Sequence, residues 1–219
     1  MTEGPRGHTG AGGGHGGLIA FEGIDGCGKT TQSRLLAERI GALWTFEPGA
    51  TGLGESLRAL LLDRGEPGVD ERSEALLMAA DRAQHVAEVI RPALALGRWV
   101  VTDRYSASTL AYQGYGRGLD RGELAELIHW ATAGLSPDLT VLIDVPVGLA
   151  STRRSGAGVP DDRFEGEAGG FHLRVADGYQ RLAATASSPW LVVDGSGTVE
   201  SVADAVWSGV APLVGGARP

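Results

Sequence analysis

Five short apolar runs, each followed by a helical pattern, predict an α/β fold: a five-stranded parallel sheet with helices on both faces. The runs are Leu18–Phe21, Ala42–Phe46, Trp99–Thr102, Leu139–Ile143 and Trp190–Val193. The stretch Gly23-Ile24-Asp25-Gly26-Cys27-Gly28-Lys29-Thr30-Thr31 narrows the class. It follows the first run, opens a helix, and fits Gly, four residues, Gly-Lys-Thr. Between the last two runs, a charged segment broken by glycines predicts a short arginine-bearing lid over about 152–168. The class is therefore a phosphate-loop nucleotide-binding fold.

The glycine loop answers an anion problem. Side chains around a polyphosphate would crowd it, so glycines let backbone N–H groups converge on the oxygens. The helix that follows adds free N-terminal donors and the positive end of its dipole. Lys29 then reaches the β and γ phosphates, and the Thr30 hydroxyl ligates Mg²⁺. A glycine-rich turn fitting by accident is the plain alternative in a chain with 35 glycines. Against it, Lys29 is the only lysine and every other basic side chain is arginine. A compact ammonium kept for this one position points to phosphate contact.

A length of 219 residues suits one domain with a small lid. Net charge −8 argues against general nucleic-acid binding, so a phosphate ligand must be held by local arginines. The lone cysteine, Cys27, rules out an internal disulfide and fits a reducing cytoplasm. No run is long enough to span a membrane and no signal-peptide core precedes the first strand.

Taken in order, residues 1–17 are mostly glycine and are expected to be a disordered tail, with His8 and His15 solvated. Residues 18–215 form the folded domain. Thr30–Ile40 is the first helix, and Leu57–Leu62 a short one after the Glu47–Gly52 loop. Asp70–Ala95 is the longest helical pattern, capped by Asp70 or Ser73 and kinked or ended near Arg91 by Pro92. Its expected core stripe is Leu76, Leu77, Ala80, Ala83, Val86 and Ile90. Met78, Arg82 and His85 share another face, which is either solvated surface or a pocket wall. Asp103-Arg104-Tyr105 ends the third strand, where side chains point at the ligand crevice; a strand-end salt bridge is the alternative. Ser108–Gln113 is helical, and Gly114–Gly118 reads as a flexible connection. Asp120 and Glu123 open a further helix. Phe171–Ala184 returns as helix, and a closing helix starts near Val199.

A phosphate loop permits an ATPase, a GTPase switch or a kinase. Guanine recognition of the Asn-Lys-x-Asp type needs a second lysine, and motor ATPases are longer. A small domain with an arginine lid suits a kinase, which must exclude water while aligning two phosphate-bearing ligands.

The residues also resemble the bacterial thymidylate kinases. The similarity rests on Phe21–Gly26 with Gly28–Thr31, Ala80–Gln84, Asp103-Arg104-Tyr105 with Ser108-Thr109 and Ala111–Gly114, Pro137–Thr140, and Asp162–Glu165. It implies ATP- and Mg²⁺-dependent phosphoryl transfer to dTMP, giving dTDP and ADP, by a cytoplasmic homodimer. By position it puts Asp25 near the acceptor 3′-hydroxyl and phosphate, Arg104 on that phosphate, and Asp103 near the metal. Arg82 and Thr109 would bond the thymine edge, with Met78, Ser108 and Gln113 in the same pocket. Tyr112 would crowd a 2′-hydroxyl. Arg153, Arg154 and Arg163 would belong to the lid, with Arg153 and Arg163 acting on the phosphates. Two positions depart from the family pattern: Phe46 stands where an arginine is usual beside the acceptor phosphate, and Met78 replaces the thymine-stacking aromatic. Two alternatives therefore stand: a kinase for a modified pyrimidine deoxynucleotide, or a weakly active nucleotide-binding protein.

Overall fold

The computed structural model describes residues 16–63, 68–156, 164, 167 and 169–215. The tail assigned to 1–17 thus falls almost wholly outside the described residues, as does most of the lid core, Arg163 included.

The sheet runs β2-β3-β1-β4-β5, all parallel. Its strands are β1 Leu18–Glu22, β2 Leu43–Phe46, β3 Val100–Asp103, β4 Leu139–Asp144 and β5 Trp190–Asp194. All five residues of β1 are buried, as expected of a central strand covered on both faces. Alternation divides them: Ile19 and Phe21 join a core with Leu36, Val202 and Val206, whereas Leu18 and Ala20 join Val86, Ile90 and Ala93. The register pairs Phe21 and Phe46 with Asp103, so Glu22, Glu47 and Asp103-Arg104 emerge together at the carboxyl edge. Ligands of open parallel sheets bind at that edge.

The helices are α1 Lys29–Ile40, α2 Gly52–Leu62, α3 Glu71–His85, α4 Arg91–Ala95, α5 Ser106–Thr109, α6 Arg121–Thr132, α7 Val147–Gly156, α8 Gly169–Thr185 and α9 Val199–Gly215. Three depart from expectation. α2 begins five residues early because the Thr51 hydroxyl caps it, accepting from Gly54 N–H at 3.0 Å. Gly54 is a packing glycine: a Cβ there would lie 2.6 Å from Asp81 Oδ1.

Pro92 does not end the long helix. Residues Val86–Ile90 widen into π-helical turns, with Arg91 N–H reaching back to Val86 O, and α4 continues to Ala95. The expected core stripe is corrected as well. Val86 and Ile90 are buried, but Leu76 is 58% exposed and Ala80 faces solvent. The buried face of α3 is instead Glu74, Ala75, Ala79, Asp81, Arg82 and His85, a largely polar face satisfied by internal bonds.

Nor is Gly114–Gly118 a flexible connection. Leu110–Gly116 continues α5 as π-helical turns packed along α8. A Cβ on Gly116 would lie 2.6 Å from the Phe171 ring, and one on Gly178 would lie 2.7 Å from Tyr115. These glycines permit close approach of two helices.

Candidate active site

The phosphate loop is shaped by backbone that other residues rarely adopt. Gly23, Gly26 and Gly28 have φ of 141°, 84° and 96°. A Cβ would lie 2.6 Å from Ile143 O at Gly23 and 2.3 Å from Ala150 O at Gly26. Gly28 caps α1 without a side chain, leaving the helix start open to a ligand. The Ile24 and Cys27 side chains turn into the core, so only their backbone can meet a nucleotide. Burial pushes the Cys27 thiol up, keeping it neutral. Lys29 is buried, its Nζ 3.3 Å from both Ile24 O and Asp25 Oδ1. The loop borders an open cleft of about 1390 Å³ that Thr30, Thr31, Arg153 and Thr198 also line.

Thr30 Oγ1 donates to Asp103 Oδ2, while Asp103 Oδ1 is buried with no hydrogen-bond partner among the described residues. A hydroxyl beside a carboxylate with an orphaned oxygen is a hard-oxygen donor set that fits Mg²⁺ entering with a nucleotide.

A second cleft, about 590 Å³, opens beside Asp25. Asp25, Met78, Arg82, Arg104, Ser108, Thr109, Tyr112 and Gln113, all expected there, line it. Asp25 lines this cleft and meets Lys29, which lines the first. Its Oδ1 takes Arg104 Nη2, and its Oδ2 takes the Tyr112 hydroxyl at 2.6 Å. Burial alone would raise its pKa, but Arg104 and Lys29 hold the carboxyl far below the usual carboxylate range. Arg104 has φ 74°, a left-handed conformation that costs a non-glycine residue about 1–3 kcal/mol. Burial opposes its charge, yet the Asp25 carboxylate keeps it firmly protonated.

Deeper in this cleft, Arg82 is fixed by Glu47 Oε2 at 2.8 Å, Thr109 Oγ1 at 2.8 Å and Tyr105 O at 2.9 Å. His85 does not line the cleft. It is fully buried behind Arg82, with Nδ1 2.8 Å from Glu47 Oε1 and Nε2 2.6 Å from Thr45 Oγ1. Gln113 is held by Glu74 at 2.7 Å, and Asp81 supports the loop by accepting from Gly49 N–H at 2.9 Å. Burial and the nearby Glu47 push the Asp81 carboxyl up to about 6.

Phe46 is the expectation the geometry moves. It is absent from the cleft lining and stacks on Trp44, with ring centroids 5.5 Å apart. Strand alternation explains this: Thr45 and Glu47 point inward, so Trp44 and Phe46 point to the other side. The cleft does contain an arginine that the sequence reading missed. Arg58 on α2 lines it and donates to Pro48 O at 2.9 Å. No sequence signal marked Arg58, because its link to the site is the folded-back Glu47–Gly52 loop.

Arg153 is not directed at the acceptor side. Its guanidinium donates to Gly195 O at 2.8 Å, Ser196 O at 3.3 Å and Gly197 O at 3.4 Å, bracing the loop before α9 beside the phosphate loop. Arg154 lies at the rim between the donor cleft and a hollow bordered by Asp25, Glu167 and His172.

A family model described as thymidylate kinase matches residues 21–206. The chain belongs to the thymidylate kinase family. A thymidylate kinase from Solidesulfovibrio magneticus is 48% identical over 208 residues, covering 90% of this chain and all of the relative. One from Nostoc punctiforme is also 48% identical, over 84% of this chain and 90% of its own length. The crystal structure of thymidylate kinase from Ehrlichia chaffeensis superposes with a TM-score of 0.67 at 36% identity. It covers 81% of this chain and 92% of that one. Membership makes this thymidylate kinase-family chain an enzyme, a nucleoside monophosphate kinase. Among its described residues no helix is long and apolar enough to cross a membrane.

Proposed function

We propose that this chain transfers the γ-phosphoryl group of ATP to dTMP, with Mg²⁺, giving dTDP and ADP in the cytoplasm. The observation that carries the reading is Asp25, which pairs with Arg104 in the second cleft and lies 3.3 Å from Lys29, a residue of the phosphate-loop cleft. A donor on one side and an acceptor on the other would meet across this carboxylate, with cations on both flanks to neutralise phosphate charge. Thr30 and Asp103 would hold Mg²⁺, which supplies further charge neutralisation on the phosphates when bound. Arg104 would grip the acceptor phosphate. Arg58 would supply the charge that Phe46 does not, so the loss of an arginine at position 46 gives no reason to seek another acceptor. Arg82 and Thr109 would read the base edge, and Tyr112 would favour a deoxyribose. Arg153 would border the donor nucleotide, and Arg154 and Arg163 would act from the lid. Purified protein with MgATP and dTMP should form dTDP, seen by ³¹P NMR; no dTDP from folded protein would overturn the reading.

Met78 is half-buried and lines the acceptor cleft, where a base would rest. Met78→Phe should lower KM for dTMP by about ten-fold, since base–aromatic stacking contributes roughly 1–3 kcal/mol per base. A KM unchanged for every pyrimidine monophosphate would make Met78 a packing residue only.

The protein is further proposed to be a homodimer through α2 and α3. Leu53 and Leu60 on α2 are 50% and 58% exposed, and Leu76 and Ala80 extend that apolar surface on α3. Leu60→Glu combined with Leu76→Glu should give monomers in sedimentation velocity at concentrations where the parent is dimeric. A variant that remains dimeric would move the interface elsewhere.

A further inference from the structure

The two edges of the Arg104 guanidinium are held by different parts of the chain. Nη2 faces the cleft, on Asp25 and the Tyr112 hydroxyl at 3.1 Å. Nη1 faces the protein, donating to Ser108 Oγ at 3.0 Å, Tyr179 OH at 3.3 Å and Gly23 O at 3.4 Å. Behind the two hydroxyls lies Glu22, the last residue of β1, with no exposed surface. Ser108 Oγ and Tyr179 OH donate to Glu22 Oε2 at 2.6 and 3.0 Å. A hydroxyl has one proton, so giving it to Glu22 turns the lone pairs of both toward Arg104 Nη1. The other oxygen, Oε1, accepts from Tyr105 N–H at 3.0 Å and Ser108 N–H at 3.1 Å. Those amides follow the turn in which Arg104 holds its left-handed conformation. Tyr179 comes from α8, 75 residues further along the chain, and its ring lies edge-on to Tyr112 with centroids 6.3 Å apart.

We infer that Glu22 and Tyr179 are positioning residues for the acceptor phosphate: they fix the backbone and the Nη1 edge of Arg104, so that Nη2 meets the phosphate. The inference rests on the dTMP reading above. It assigns work to two side chains that touch neither ligand, and it ties α8, which follows the lid, to the phosphate-binding arginine.

The test compares two ligands that differ by the phosphate alone. Tyr179→Phe keeps the ring and removes the hydroxyl. Calorimetric titration should show dTMP affinity falling about ten-fold, the size of one lost charge-assisted hydrogen bond, with thymidine affinity within about two-fold of the parent. KM for ATP should not move. Glu22→Gln reverses one donor toward Ser108 and Tyr179, and should weaken dTMP further while again sparing thymidine. If Glu22→Gln fails to fold, Tyr179→Phe still decides. Equal losses for dTMP and thymidine, or no loss for either, would overturn the inference while leaving the dTMP reading intact. Parent protein that binds no dTMP would overturn both.

Discussion

Lys29→Arg is expected to lose phosphoryl transfer by about 10²–10³-fold in kcat, with the fold retained. Lysine and arginine carry the same charge, so this substitution tests shape. The Lys29 ammonium is buried in a loop whose walls are backbone, and it packs against Ile24 O. Glycines at 23 and 26 already stand where a Cβ would collide with backbone oxygens, and a wider, planar guanidinium cannot reproduce the point contact of the ammonium there. Lys29→Ala should fail to the same degree. Stability should change little in that variant, because Arg104 still neutralises Asp25. Stopped-flow or coupled ADP assays at saturating nucleotide, with a melting curve for each variant, check both statements. Near-normal turnover in Lys29→Arg would remove Lys29 from the phosphate site.

Arg104→Ala should be as damaging, through a different parameter. Each charge-assisted hydrogen bond to a phosphate contributes about 1.5–3 kcal/mol, so a guanidinium using two donors accounts for about 10²–10⁴ in kcat/KM for the acceptor. KM for ATP should stay within a few-fold of the parent. Arg104→Ala should also lower Tm, because it strips the cation from between Asp25 and the buried Glu22 carboxylate. Arg104→Lys would restore charge without the fork and should recover stability more than activity. An Arg104→Ala protein with normal use of dTMP would contradict the assignment of the acceptor phosphate to this side chain.

The sheet was legible because strands buried on both faces leave continuous apolar runs, and those runs fell within a residue or two of β1–β5. The phosphate loop was legible for a similar reason: its glycines are demanded locally. α3 was not. Periodicity identifies an apolar face but not what covers it. Here Leu76 and Ala80 face outward, while Glu74, Arg82 and His85 are buried because their hydrogen-bonding groups meet partners from β2, the β2–α2 loop and the turns after α5. Phe46 misled for a geometric reason, since a neighbour of Glu47 in the chain lies across the strand from it in space. Arg58 and Tyr179 left no mark in the sequence because α2 and α8 reach Pro48 and Arg104 only in the folded chain. Glycine was misread at 114–116, where a missing Cβ serves close packing rather than freedom.

The most direct test of the central claim is the acceptor profile with MgATP as donor, measured as kcat/KM from ADP release for dTMP, dUMP, dCMP and the ribose form of dTMP. The account predicts that dTMP leads the panel. The ribose form should trail by about ten-fold or more if Tyr112, held by its hydroxyl on Asp25, crowds a 2′-hydroxyl as proposed. A folded protein that uses another acceptor better than dTMP, or releases ADP at one rate with every acceptor and with none, would contradict it.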